Sequence, residues 1–311
     1  MEVEITSDVR LSGEQSRLLS LHSFLNILNV LEGELELLGL GVDDDELLAP
    51  VIALAVALRN HLGREGVNTH WARWLAQLER IFEASVPRLI ARRPELGDSP
   101  QASESIANIR SILRVLDART AERLARRDAP GRWVRHDVSA LLDSFRNFFA
   151  AVERNSKGRY RIVSNIAAQE ERDYVVNLKI ESVNGNTIIM PPELQDVFRD
   201  LIANARKYTR PGGVITAGLF EDASRIRLVV EDTGVGIPPD EIEKVVDFGY
   251  RASNVRHLPT KGGGFGLTKA HAVAKALGGR MWIRSTVGVG TRVTIDIPRP
   301  DTISAAGTQT A

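Results

Sequence analysis

The chain has 311 residues, 43% hydrophobic and 26% charged, the balance of a globular protein of about two ordinary domains. Forty basic residues cancel forty acidic ones, so no basic surplus argues for binding nucleic acid or a lipid surface. There is no cysteine, which excludes disulfides, thiolate metal sites and thiol nucleophiles and agrees with a reducing cytoplasm.

Residues 1–12 are polar, do not resemble a signal peptide and are expected to lack fixed structure. From Glu14 to Leu38 a helix is predicted, with Leu18, Leu21, Leu25, Leu28, Leu35 and Leu38 close to a heptad seam. The string GLGVDDDE is expected to break it. The apolar run Leu47–Leu58 is shorter than the roughly 18 residues of a membrane span and holds Pro50, so it predicts a buried helix over 46–62 and no span. Helical periodicity continues over 69–92 and 103–127, with LGDSPQ and DAPG as breaks. Residues 13–137 therefore predict an all-α domain of about four helices. The seam argues for a homodimer through the N-terminal helices, although a bundle within one chain gives the same pattern.

A fifth helix over 138–153 leads into a second regime. Alternating segments at 174–181, 213–220, 226–231, 280–285 and 291–297 are separated by helices at 193–208 and 268–277. Such alternation predicts a mixed sheet covered by helices on one face. Residues 299–311 are small and polar and are expected to form a disordered tail.

Four segments of this second half carry the chemistry. In Asp200-Leu-Ile-Ala-Asn204-Ala-Arg-Lys207-Tyr208-Thr, one helix face offers a carboxylate, an amide and an ammonium, a set suited to hydrated magnesium and phosphate oxygens, or simply a polar face. In Glu231-Asp232-Thr-Gly234-Val-Gly236-Ile-Pro, the glycines let backbone approach a flat ligand, and Asp232 can accept a hydrogen bond from an exocyclic amine. Lys261-Gly262-Gly263-Gly264-Phe265-Gly266-Leu267 opens a helix whose first N–H groups can face phosphate oxygens. Ser285-Thr-Val-Gly-Val-Gly-Thr291 reads as a hairpin.

In this order the four segments resemble the ATP-binding boxes of the histidine-kinase, Hsp90, gyrase and MutL superfamily, and most closely those of histidine kinases. The resemblance covers about half the chain. It implies a multidomain protein: an N-terminal all-α dimerisation and phosphotransfer domain, then a C-terminal α/β sandwich of the histidine-kinase ATPase type over 138–298. It also implies ATP and Mg2+ as cofactors, with Asn204 as the magnesium ligand and Asp232 as the adenine contact. Gly234, Gly236, Gly262, Gly264 and Gly266 would shape the pocket, with Phe265 and Leu267 in the same loop. Lys207 would contact phosphates beside Tyr208, and Thr291 would line the adenine end. Asp247-Phe248-Gly249-Tyr250-Arg251 looks like the family's aromatic box; Ala252–Lys261 would be a lid, and Arg251 and Arg256 could reach phosphates. Many histidine kinases have Asn where this chain has Asp200. A carboxylate there can act as general base or support the metal through another ligand.

A histidine kinase needs an acceptor histidine on a helix. His22 lies beside the leucine stripe with Asn26 one turn on, and LHSFLN resembles a phosphoacceptor box of the His-x-x-x-Asn kind, with Ser23 in place of the usual acid. His136, followed by Asp137, is the rival. The leading expectation is a cytoplasmic histidine kinase that autophosphorylates His22 and passes the phosphoryl group to a response-regulator receiver domain. The alternatives are a serine kinase resembling the mitochondrial dehydrogenase kinases and a nucleotide-binding scaffold without phosphotransfer.

Overall fold

A computed structural model describes residues 2–8, 10–42, 45–127, 131–154, 156, 158–257 and 263–300. In chain order the elements begin with β1 (Glu2–Glu4), α1 (Gly13–Val42), α2 (Asp45–Glu65), α3 (Thr69–Arg92) and α4 (Pro100–Arg127). They continue with β2 (Val134–Asp137), α5 (Val138–Arg154), β3 (Ile162–Val163), β4 (Tyr174–Ser182), β5 (Thr187–Met190) and α6 (Glu193–Tyr208). The last are β6 (Val214–Glu221), β7 (Arg225–Asp232), α7 (Gly266–Ala276), β8 (Arg280–Thr286) and β9 (Gly290–Pro298). Contacts divide the chain into two compact units, Ser16–Pro130 and Met1–Gln15 with Gly131–Ala311.

The helical unit is α1–α4. Asn68 starts α3 by accepting a hydrogen bond from Trp71 N at 2.9 Å, which satisfies one of the donors that a helix start leaves unpaired. Trp71, Leu75, Leu78, Phe82, Val86 and Leu89 then return at three- and four-residue spacing and are all buried. Trp71 Nε1 donates to Thr120 Oγ1 at 2.8 Å, tying α3 to α4. Glu32 and Arg59 join α1 to α2.

The leucine seam is spent inside this bundle. Leu21, Leu28, Leu35 and Leu38 are buried in its core, while Leu18 is exposed, so the heptad pattern by itself supplies no second-copy surface. The expected break at GLGVDDDE is also displaced, since α1 runs through Gly39 and Gly41 to Val42. Among the described residues, Glu46–Glu65 is long and apolar enough to cross a membrane by length and composition. Its Leu48, Val51, Ala55, Leu58 and Leu62 lie in the helical core.

The second unit is built on a seven-stranded mixed sheet of order β1-β8-β9-β7-β6-β4-β3, with a separate β2-β5 pair. Strand alternation sends Ile215, Ala217 and Leu219, Ile226, Leu228 and Val230, and Val293, Ile295 and Ile297 to one buried face. Phe145 of α5, Phe198 and Ile202 of α6, and Ala270 and Ala274 of α7 share that core. The opposite face is charged: Arg227 pairs with Asp296 at 2.7 Å and Arg292 with Glu231 at 2.9 Å.

Several strands differ from expectation. Residues 131–137 belong to the sheet unit, not the helical one, because β2 pairs antiparallel with β5. His136 sits in that strand and its Nε2–H donates to the Met190 carbonyl at 3.2 Å, so the rival acceptor histidine is a strand residue. Asp137 follows as the start of α5, accepting from Ala140 N at 2.8 Å. The expected disorder of 1–12 fails at Glu2–Glu4, which pair antiparallel with β8. Ile5 N donates to the Met281 carbonyl at 2.9 Å, and the Ile5 side chain is buried. The expected tail from 299 is described only at its first two residues. There Arg299 N donates to the Ser224 carbonyl at 2.8 Å and the side chain pairs with buried Glu221; residues 301–311 lie outside the described residues.

Ile5 is the apolar anchor of β1. Ile5→Ala is expected to lower the stability of the sheet unit by about 2–4 kcal/mol, read as a lower thermal midpoint. An unchanged midpoint contradicts the docking of this strand.

Candidate functional site

The site lies where the C-terminal end of α6, the β7 turn, the β8–β9 hairpin and the start of α7 converge. Helix α6 buries Val197, Phe198, Leu201, Ile202 and Ala205 against the sheet. That fixes Asp200, Asn204 and Lys207 on its other side, at half-buried positions.

The β7 turn is stitched to each neighbour. Asp232 Oδ1 accepts from Gly234 N at 2.8 Å and from Thr291 N at 3.3 Å. Val235 N donates to the Tyr208 carbonyl at 3.1 Å and Gly288 N to the Val235 carbonyl at 2.9 Å, so the turn bridges α6 and the hairpin. Ile237 N donates to Ser285 Oγ at 2.8 Å, and Ser285 Oγ lies 2.9 Å from Thr291 Oγ1. These contacts leave no room for a side chain at two glycines. A Cβ on Gly234 would stand 2.5 Å from the Tyr208 carbonyl oxygen, and one on Gly236, whose φ is +70°, would overlap the Thr286 carbonyl.

The Gly-rich segment packs on the aromatic box. A Cβ on Gly264 would stand 2.6 Å from the Tyr250 carbonyl. The Phe248 and Phe265 rings are 4.7 Å apart. Thr268 Oγ1 donates to the Asp247 carbonyl at 3.1 Å. Leu267 packs against the sheet core. Gly266 abuts Asn204 so closely that any side chain would overlap its amide. Gly262, with the expected lid residues 258–261, lies outside the described residues. Residues 252–257 hold a short turn in which Arg251 Nη2 donates to the Val255 carbonyl at 2.7 Å and Asn254 Nδ2 to the Gly236 carbonyl at 2.9 Å.

Two groups are electrostatically poised. Burial pushes the Asp232 carboxyl up to about 6, against the N–H groups of Gly234 and Thr291, which favour its charge. Burial pushes the Lys207 ammonium down to about 8, helped by the nearby charges of Arg251 and Arg206. Lys207 Nζ stands 4.9 Å from the Tyr208 ring centre. A buried carboxylate gains from an amine donor, and a cluster of crowded cations gains from an anion. A ligand with an amino-heterocycle at one end and phosphates at the other meets both demands. Among the described residues no group of three or more His, Cys, Asp or Glu could hold a metal.

Asp200, placed on the same α6 face by the sequence, is engaged: Lys269 Nζ donates to its Oδ2 at 2.6 Å. Sequence reading does not find Lys269. It lies 69 residues from its partner, and the only local signal is its place one turn into the helix that the glycines open. On α1, His22 and Asn26 meet as the helical spacing requires, with Asn26 Nδ2 3.0 Å from His22 Nε2.

Residues 190–301 match the family model for histidine kinase-, DNA gyrase B-, and HSP90-like ATPases. The chain is 29% identical over 179 residues to Sensor protein SrrB of Staphylococcus aureus (strain MRSA252), covering 57% of this chain and 28% of that one. The same sensor from strain NCTC 8325 / PS 47 matches at equal identity and coverage. The chain thus spans little more than a quarter of the length of the curated relatives it matches. Among solved structures, the catalytic domain of histidine kinase ThkA aligns at 18% identity with a TM-score of 0.39, over 54% of this chain and 97% of that one. The mycobacterial sensor histidine kinase MprB aligns at 22% identity and 0.39, over 54% and 99%. Residues 190–301 are a domain of this ATP-binding family, and the helical region followed by an ATPase-type α/β domain is the fold class expected.

Adenine-nucleotide affinity is expected to peak between about pH 6 and about pH 8. Below that window Asp232 takes a proton and would lose the charge with which it could accept an amine. Above it Lys207 would lose the charge with which it could attract phosphate. A fluorescent-nucleotide titration across this range should show the alkaline limb vanish in Lys207→Met and the acid limb in Asp232→Asn; a flat wild-type profile contradicts both roles.

Proposed function

We propose that this chain is a histidine kinase, its ATPase-family domain supplying the nucleotide site and α1 the phosphoacceptor. One observation supports the reading: the Gly234–Gly236 turn beside Asp232 bonds to the Tyr208 carbonyl next to Lys207, and Gly266 abuts Asn204, so a half-buried carboxylate and crowded cations stand near one another. Asp232 would hold the adenine amine, with Thr291 at that end; Lys207 and Arg251 would hold phosphates. Mg2+ held at Asn204 would supply charge neutralisation at the phosphates.

His22 supports the acceptor half. With the Asn26 amide donating to Nε2, that nitrogen keeps its lone pair and the ring proton sits on Nδ1. In the transfer, Nε2 forms a bond to the γ-phosphorus of ATP while the bond to the bridging oxygen breaks. ADP leaves with the electron pair, and the ring's Nδ1 proton passes to solvent water. Neutral imidazole needs no base to become the nucleophile, so Ser23 in place of an acid leaves the attack intact. For the nucleophile to act, the Asn26 amide must turn aside.

The acceptor of the phosphoryl group would be an aspartate on a response-regulator receiver domain, and the cysteine-free chain suits work in the cytoplasm. A homodimer through the N-terminal helices would use Leu18, Val30 and Leu37, the exposed large apolar residues of α1, because the heptad leucines are taken up within the bundle. A serine-kinase reading draws on two features, the four-helix unit in place of a plain hairpin and the acidic Asp200 before Asn204.

With ATP labelled at the γ-phosphate, wild type should acquire acid-labile label and His22→Gln should lose nearly all of it. Equal label in both rejects His22. Acid-stable label on a partner serine supports the second reading, and nucleotide binding with no label supports a scaffold.

A further inference from the structure

Helices α6 and α7 meet at two successive rungs. At one, Gly266 abuts Asn204 with no space for a side chain. One turn further on, Lys269 of α7 reaches back to Asp200 of α6, 2.6 Å away, and the two side chains keep only 16% and 25% of their exposure. Asp200 is thus the carboxylate one turn from the amide that the proposed function assigns to magnesium, and it carries its own ammonium. Lys207, on the same face of α6, is the contrasting case: it faces the Tyr208 ring and the charges of Arg251 and Arg206.

We infer that Lys269 is a positioning residue that holds Asp200 in a half-buried ion pair and keeps it from the metal, so that Asn204 is the side chain left for the cation. This rests on reading residues 190–301 as a nucleotide site. A bare carboxylate beside phosphates would repel them and would recruit a divalent cation in compensation. Paired at 2.6 Å with a screened ammonium, it does neither, because the opposite charges cancel at short range. The pair also locks α7 to α6 next to the Gly-rich segment, so the charge balance and the geometry of the phosphate end are set by one contact.

The two single substitutions then have opposite signs. Lys269→Met leaves an unpaired carboxylate, so ADP affinity without metal should fall about tenfold, and Mg2+ should recover most of the loss. Asp200→Asn leaves an unpaired ammonium, so metal-free ADP affinity should rise several-fold and its gain from Mg2+ should shrink. The Asp200→Asn/Lys269→Met double variant should return close to wild type, and Lys269→Arg should behave as wild type. Calorimetric titration of ADP into the full chain, with and without Mg2+, reads all of this. A purely structural role would weaken binding in both single variants and more in the double variant; that result, or unchanged Mg2+ dependence in Lys269→Met, overturns the inference. Wild type that binds no ADP under either condition sinks the nucleotide-site reading, and this inference with it.

Discussion

The second unit turns on a half-buried carboxylate. Asp232 stands at the end of a central strand, where β7 opposes Thr291 of β9. Its Oδ1 takes N–H groups from the turn and from the hairpin, so two loops distant in sequence are referred to one atom. Those bonds keep the group charged near neutrality although burial raises it to about 6. The neighbouring glycines follow from the same crowding. Backbone of α6, β7 and the hairpin comes together so closely that 234 and 236 admit no Cβ. On the proposed reading, a site built this way would have its ligand end already polarised, and the ligand would have only to supply the missing donor.

How much of this was visible in the sequence depends on the length and independence of each signal. Helices α3 and α6 were legible to the residue, because long runs of apolar side chains at helical spacing define their own limits. The strands β1, β2, β3 and β5 were not: each has four residues or fewer, too few for alternation to stand out, and each is stabilised by a partner remote in the chain. Gly39 and Gly41 misled in the other direction, since the bundle outweighs a cost of about 1 kcal/mol per helical glycine.

The site shows the same division. Motif order singled out Asp232, Asn204, Lys207 and the glycines as candidates, because each segment carries its own local requirement. The Asp200–Lys269 pair carries none, and neither residue announces the other. The seam on α1 was ambiguous for a physical reason: burial within one bundle and burial between two copies make identical demands on a helix. The structure assigns Leu21, Leu28, Leu35 and Leu38 to the first, and leaves His22 and Asn26 half-buried on the same helix, where transfer chemistry requires access.

The central claim is that four separated segments answer to one ligand, and amide hydrogen exchange tests it directly. On addition of Mg-ATP, protection should rise together in 204–208, 232–237, 263–268 and 285–291, while α2 and α3 exchange as before. Protection in none of these segments, or in one of them alone, would contradict a shared pocket.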